Sequence, residues 1–93
     1  MANFIIIGAG SAGCVLANRL SAEPANSVLL LEAGGPANNP EINIPARWSK
    51  LLKTDIDWSY ESEPQVHLNS RRIDLNRGKV VGGTTAINGM VYI

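Results

Sequence analysis

The chain is poor in the residues that build metal centres, disulfide frameworks and charged docking faces. Cys14 is its only cysteine, which rules out an internal disulfide and a thiolate metal cluster. His67 is its only histidine, and it lies in a polar stretch with no Cys, Asp or Ser at a useful spacing, so a solvated role is expected rather than that of a catalytic base. Basic and acidic residues balance at eight each, so no cationic excess points to nucleic acid or to an anionic membrane surface. No stretch approaches the roughly 18–20 consecutive apolar residues of a membrane span. The apolar residues Phe4 to Ile7 have no basic segment before them and are followed by glycines, which argues against a signal peptide. Met1 is read as a true start, and the lone cysteine suits a reducing, cytoplasmic location.

What is present is an ordinary globular composition, 45% hydrophobic and 17% charged, in a chain long enough for one domain at most. Asn3 to Ile7 is short, β-branched and apolar on both faces, the pattern of a strand buried in a parallel sheet. Gly8 to Gly13 is a glycine-rich turn. Ser11 to Ser21 follows with a helical pattern that Pro24 and its polar neighbours terminate. Val28 to Leu31 is a second buried strand, closing at Glu32. Strand, helix and strand fill about 30 residues, the size of one right-handed βαβ unit.

Beyond Glu32 the pattern loosens. Ala33 to Pro45 is expected to be an irregular loop, Pro45 to Lys53 a short helix with Trp48, Leu51 and Leu52 on one side, and Asp57 to Gln65 extended. Ile73 and Leu75 alternate in a way that suits a short strand, Arg77 to Gly83 is a glycine-rich basic turn, and Thr84 to Met90 is expected to open another helix. The apolar end at Val91, Tyr92 and Ile93 lacks a stop signal and is read as the edge of something longer.

Gly8-Ala9-Gly10-Ser11-Ala12-Gly13 carries the chemistry. A lone GxGxxG is weak, but here a strand precedes it, a helix follows, and an acidic residue ends the next strand about 20 residues on. Gly8 permits the tight turn, Gly10 lets a pyrophosphate approach the backbone, and Gly13 lets helix and strand pack closely. The helix start offers free N–H groups and partial positive charge to phosphate, and Glu32 suits the adenosine ribose hydroxyls. A carboxylate there opposes the 2′-phosphate of NADP. This fingerprint alone suits FAD and NAD equally.

A second glycine motif runs from Arg77 to Tyr92. Gly82-Gly83 allows unusual backbone angles, and Thr84 and Thr85 are suited to capping a helix start. Two anion-binding turns in one short chain favour a long cofactor such as FAD over NAD. Arg77 and Lys79 meet phosphate or solvate the turn, and Arg71 and Arg72 are read as surface charges. Cys14 is expected to be a small buried residue, and Trp58 to pack in the core rather than beside adenine.

The stretch Arg77 to Tyr92 resembles the first signature of the glucose–methanol–choline (GMC) oxidoreductases. Gly8 to Gly13, Glu32-Ala33-Gly34, and Asp57-Trp58-Ser59-Tyr60 with Pro64-Gln65 also resemble that family, in its choline dehydrogenase-like branch. The resemblance implies an α/β fold, with a Rossmann-type FAD-binding βαβ unit and an irregular flavin-covering segment, residues 1–93 forming the N-terminal portion of an FAD domain. It implies that Gly8, Gly10, Ser11, Ala12 and Gly13 hold the pyrophosphate. Glu32 and Ala33 would lie at the ribose, Val81 and Gly83 approach from the second loop, and Asn88, Gly89, Met90 and Val91 line the flavin side. Ile87 stands where some members carry a histidine that bonds FAD covalently, so FAD is expected to be non-covalent. The activity implied is oxidation of a small alcohol by hydride transfer to FAD, with the catalytic base beyond Ile93, so no catalytic residue is expected within the chain. An FAD-containing lyase of the same family and a stand-alone nucleotide-binding module are the alternative readings. Open strand edges predict poor solubility for the isolated piece.

Overall fold

The computed structural model describes residues 3–92. Strand β1, Phe4–Ile7, and strand β2, Val28–Leu31, pair in parallel, with Phe4 opposite Val28 and Ile7 opposite Leu31. The Gly8 N–H extends this ladder to the Leu31 carbonyl at 2.7 Å. Helix α1, Ser11–Ser21, crosses between them and carries Arg19 in its last turn, where a cation complements the helix dipole. The expected βαβ unit is therefore present, with β1 one residue shorter than Asn3 to Ile7.

Burial departs from expectation. Of β1 only Ile6 is buried, while Ile5 and Ile7 are 61% and 86% exposed. In β2, Leu29 and Leu31 are also exposed. Two strands carrying one helix have nothing to cover the second face or the outer edges. Cys14 is likewise exposed rather than buried, its thiol donating to the Ala9 carbonyl at 3.3 Å. The core lies where the end of the βαβ unit meets later segments, and it consists of Ile6, Ala9, Leu51, Val80 and Ile87.

The segment read as an irregular loop contains a 3₁₀ turn, Pro40–Asn43. Its start is capped by Asn39, whose Oδ1 accepts from Glu41 N–H at 2.9 Å, and Arg47 pairs with Glu41 at 2.8 Å. The expected short helix is a second 3₁₀ segment, Pro45–Leu51. Proline opens both segments, fixing φ and removing a donor. Leu51 anchors the second one in the core.

The extended stretch after Asp57 pairs only briefly. Strand β3, Tyr60–Glu61, runs antiparallel to β4, Asp74–Leu75, where the alternation of Ile73 and Leu75 suggested a strand. Val66–Leu68 between them is a 3₁₀ turn with His67 exposed. Arg71 and Arg72 are exposed too.

The helix expected over Thr84 to Met90 does not form. One 3₁₀ turn, Gly83–Ala86, follows a left-handed Gly82, and Met90 also has a positive φ, of 52°. Thr84 Oγ1 reaches back to accept from Gly78 N–H at 3.1 Å. The Asn88 side chain takes over two backbone groups a helix would use, donating to the Thr85 carbonyl at 3.1 Å and accepting from Met90 N–H at 2.7 Å. Such local bonds compete directly with helix propagation. The capping role expected of Thr84 and Thr85 is absent, since that turn has no side-chain cap.

Gly13 is the tightest joint of the βαβ unit, since a Cβ there would lie 1.8 Å from the Gly8 carbonyl oxygen. Gly13→Ala is expected to cost about 3 kcal/mol or more. Gly35→Ala, where a Cβ meets nothing within 4 Å, is expected to cost less than about 1 kcal/mol. Thermal unfolding followed by circular dichroism compares the two; equal losses would contradict this packing.

Candidate functional site

A cleft of about 540 Å³ opens beyond the carboxyl ends of β1 and β2, the place where open parallel sheets bind ligands. Ile7, Gly8 and Gly10 form one side, Leu31, Glu32 and Ala33 the next, and Trp58, Gly78, Gly83 and Thr84 close it. Four sequence-distant segments thus share one wall.

Ala9 ties the first glycine turn to the end of β2 and to the second glycine turn. Its N–H donates to Glu32 Oε2 at 2.7 Å, and its carbonyl accepts from Gly82 N–H at 2.7 Å. The other Glu32 oxygen accepts from Gly34 N–H at 2.9 Å. The Gly34 and Ala9 N–H groups, against the opposing effect of burial, hold the Glu32 carboxyl below its ordinary range. The carboxylate therefore bridges the first glycine turn and the exit of β2, with lone pairs left over for a ligand.

The second glycine turn packs on the first without side chains between. Gly82 and Gly83 take left-handed conformations, with φ of 100° and 60°, which a residue with a Cβ adopts only at a cost. A Cβ on Gly83 would lie 2.8 Å from Gly10 Cα. Val81 N–H donates to the Gly35 carbonyl at 3.0 Å, and the Ser11 and Thr85 hydroxyls share a short hydrogen bond. By contrast, a Cβ on Gly8 or Gly10 would meet nothing within 4 Å. Contact with the rest of the chain thus leaves open the two glycines that line the cleft from β1. At the start of α1 the first N–H groups have no carbonyl a turn behind them, so the cleft adjoins backbone donors and partial positive charge.

Asp57 fixes the other wall. It is buried, and its Oδ1 accepts from Ser59 N–H at 3.0 Å and Arg77 N–H at 2.9 Å. Its Oδ2 accepts from Lys53 N–H at 2.8 Å and Asn76 Nδ2 at 2.6 Å. Burial pushes the carboxyl up, but these four donors prevail and bring it down to about 2. Trp58 N–H donates to the Arg77 carbonyl at 2.8 Å and Lys79 N–H to the Ile56 carbonyl at 2.7 Å. The carboxylate thus joins the Trp58 turn to the second glycine turn.

Of the residues expected at a cofactor site, the structure brings Gly8, Gly10, Glu32, Ala33 and Gly83 together around the cleft. Ser11 and Ala12 stand at the exposed start of α1, and Gly13 is buried beneath the turn. Val81, Asn88, Gly89, Met90 and Val91 do not line this cleft. Asn88 closes its own turn, and Gly89 faces the Trp48 ring, with a Cβ there 3.6 Å from it. Trp58 is not a core residue. It is 41% exposed and forms a wall of the cleft. Lys79 Nζ lies 4.7 Å from its ring centroid, whereas Arg77 bonds the Asn76 carbonyl at 2.7 Å. Sequence reasoning gave Asp57 no role. Its position between Lys53 and Ser59, both at positive φ, is a matter of backbone geometry that composition does not signal.

A family model described as GMC oxidoreductase matches residues 2–93. The chain is 51% identical over 94 residues to an alcohol dehydrogenase [acceptor] of Pseudomonas putida, covering 100% of this chain and 17% of that protein. It is 53% identical to an oxygen-dependent choline dehydrogenase of Rhizobium etli, covering 99% of this chain and again 17% of that protein. Among solved structures, pyridoxine 4-oxidase from Mesorbium loti superposes with a TM-score of 0.95 at 39% identity, over 100% of this chain and 18% of that one. An FAD-dependent oxidoreductase from Chaetomium thermophilum superposes with a TM-score of 0.81 at 40% identity, over 99% of this chain and 16% of that one. The chain thus spans 17% of the length of the curated relatives it matches.

Asp57→Asn puts an amide NH₂ against at least one backbone N–H donor whichever way it is turned, with an expected cost on the order of 3 kcal/mol. The carboxyl titrates near 2 when folded, against an ordinary 3.8. Its contribution is therefore complete above the ordinary value and is lost as pH falls through about 2,. Denaturant unfolding across that acid range is expected to show this loss in the wild type and not in D57N; matching profiles would remove Asp57 from its bridging role.

Proposed function

The chain belongs to the GMC oxidoreductase family, and we propose that it is the N-terminal portion of an FAD-binding domain in a flavin-dependent oxidoreductase acting on small alcohols. One observation carries the proposal. Ala9 is clamped through both its N–H and its carbonyl, while Gly8 and Gly10 lie open on the cleft. A Cβ at Gly10 would occupy the space a pyrophosphate needs, which is the fit expected of a dinucleotide cradle.

Gly8 and Gly10 give the pyrophosphate close approach, and Ser11, Ala12 and Gly13 present the helix start to it. Glu32 orients the ribose hydroxyls with the lone pairs its backbone bonds leave, and Ala33 and Gly83 flank them. Val81, Asn88, Gly89, Met90 and Val91 belong to the segment that continues toward the flavin end. Ile87 is 2% exposed and packed in the core, and its alkyl side chain has no atom to bond the flavin, which supports non-covalent binding.

Bound FAD supplies the two-electron acceptance that turns an alcohol into an aldehyde. The residues of this chain bind and orient it. The proton acceptor for the hydroxyl and the substrate-binding domain lie beyond residue 93 in this reading. The names of the relatives, an alcohol dehydrogenase and choline dehydrogenases, favour a small alcohol as substrate, with the flavin passing its electrons to a separate acceptor. No helix among the described residues is long and apolar enough to cross a membrane, and the reading includes a cytoplasmic location, which a lone cysteine suits.

The test is made on the full-length protein. A flavin absorbance spectrum is expected, with the flavin released to the supernatant on acid precipitation. Gly10→Ala is expected to lower FAD occupancy at least about tenfold while the unfolding temperature of the apoprotein stays near that of the wild type. A protein that binds NAD and no flavin would overturn the proposal, and flavin retained in the pellet would overturn its non-covalent part.

A further inference from the structure

We propose that Lys79 is a positioning residue for the adenosine end of the cofactor, acting through the Trp58 ring that its ammonium faces. The inference rests on the FAD reading above. Trp58 is a wall of the cleft beside Glu32 and Ala33, yet with 41% of its surface exposed the core does not immobilise it. Two contacts act on the ring. Lys79 Nζ stands 4.7 Å from its centroid, and the Tyr60 ring stacks nearly parallel, 7° off and 5.8 Å between centroids. Tyr60 is itself half exposed and makes a weak support.

Lys79 is the better anchor because its backbone cannot shift. Its N–H is bonded to the Ile56 carbonyl at 2.7 Å, and its own carbonyl lies so close to Gly34 that a Cβ there would be 2.1 Å from it. Among the described residues the ion pairs are Arg47 with Glu41 and Lys53 with Asp74, so no carboxylate there competes for the Lys79 charge. Lys79 does not line the cleft, whereas its neighbour Gly78 does. The cation is therefore placed to attract the ring face and hold the indole where a base beside the ribose meets it. The second glycine turn then shapes the adenosine site at two points, Gly83 beside the ribose and Lys79 through Trp58.

A double-mutant cycle on the full-length protein tests this. FAD affinity is read from the flavin fluorescence of the apoprotein titrated with FAD. ADP, which carries adenosine and pyrophosphate without flavin, serves as competitor. Lys79→Met is expected to weaken both FAD and ADP roughly two- to fivefold, and Lys79→Arg to retain most of the affinity. In a Trp58→Leu background, Lys79→Met is expected to change nothing further, because the ring it acts on is gone. An undiminished effect in that background, growing as salt is lowered, would mean direct contact with phosphate and would overturn the inference, as would full affinity in Lys79→Met. Should Trp58→Leu fail to fold, Trp58→Phe replaces it, and the Lys79→Met effect must shrink there. A wild type that binds no FAD would fail the functional reading itself, whereas FAD binding with an additive cycle would remove only the role of Lys79.

Discussion

The structure depends on one residue that is held through both of its backbone polar groups. Ala9 donates to Glu32 and accepts from Gly82, so the first glycine turn is held between the end of β2 and the second glycine turn. Both bonds are short, and one partner is a carboxylate, which makes the stronger kind of hydrogen bond. With Ala9 fixed, Gly8 and Gly10 on either side of it are presented to the cleft. Ala9 is thereby fixed while its two neighbours stay bare, the combination of rigidity and open space that the proposed cofactor cradle needs.

The distribution of the core follows from the same constraint. Leu51, Val80 and Ile87 are the largest fully buried side chains, and all come from outside the βαβ unit. With Ile6 and Ala9 they make up the buried apolar residues of the described chain. Asp57 does for the far wall what Glu32 does for the near one, gathering four donors on two oxygens. Backbone N–H donors, joined at Asp57 by the Asn76 side-chain amide, hold each carboxyl below its ordinary range. By contrast, Ile5, Ile7, Leu29 and Leu31 remain exposed on the sheet, and in a chain that spans 17% of its relatives' length that surface is available to further structure.

Ile87, from the second glycine motif, is 2% exposed and among the largest fully buried side chains. Its alkyl side chain offers no atom that could bond a cofactor covalently.

The sequence by itself determined the βαβ unit, because strand, turn and helix each carry a local signal: β-branched apolar runs, glycines at the turn, and a polar, proline-marked helix end. It also located the two glycine turns and Glu32, since close backbone approach admits few residues but glycine and the end of β2 falls at a fixed distance from the first turn. Only the tertiary structure decided that the two turns form one cradle, because that rests on the Ala9 bonds between segments some seventy residues apart. It decided that Trp58 lines the cleft instead of the core, since composition cannot say which apolar side chains are left uncovered when the parallel sheet has two strands. It also decided that Thr84 to Met90 is not a helix, because Asn88 bonds locally to backbone groups a helix would have used, a competition that residue propensities do not resolve.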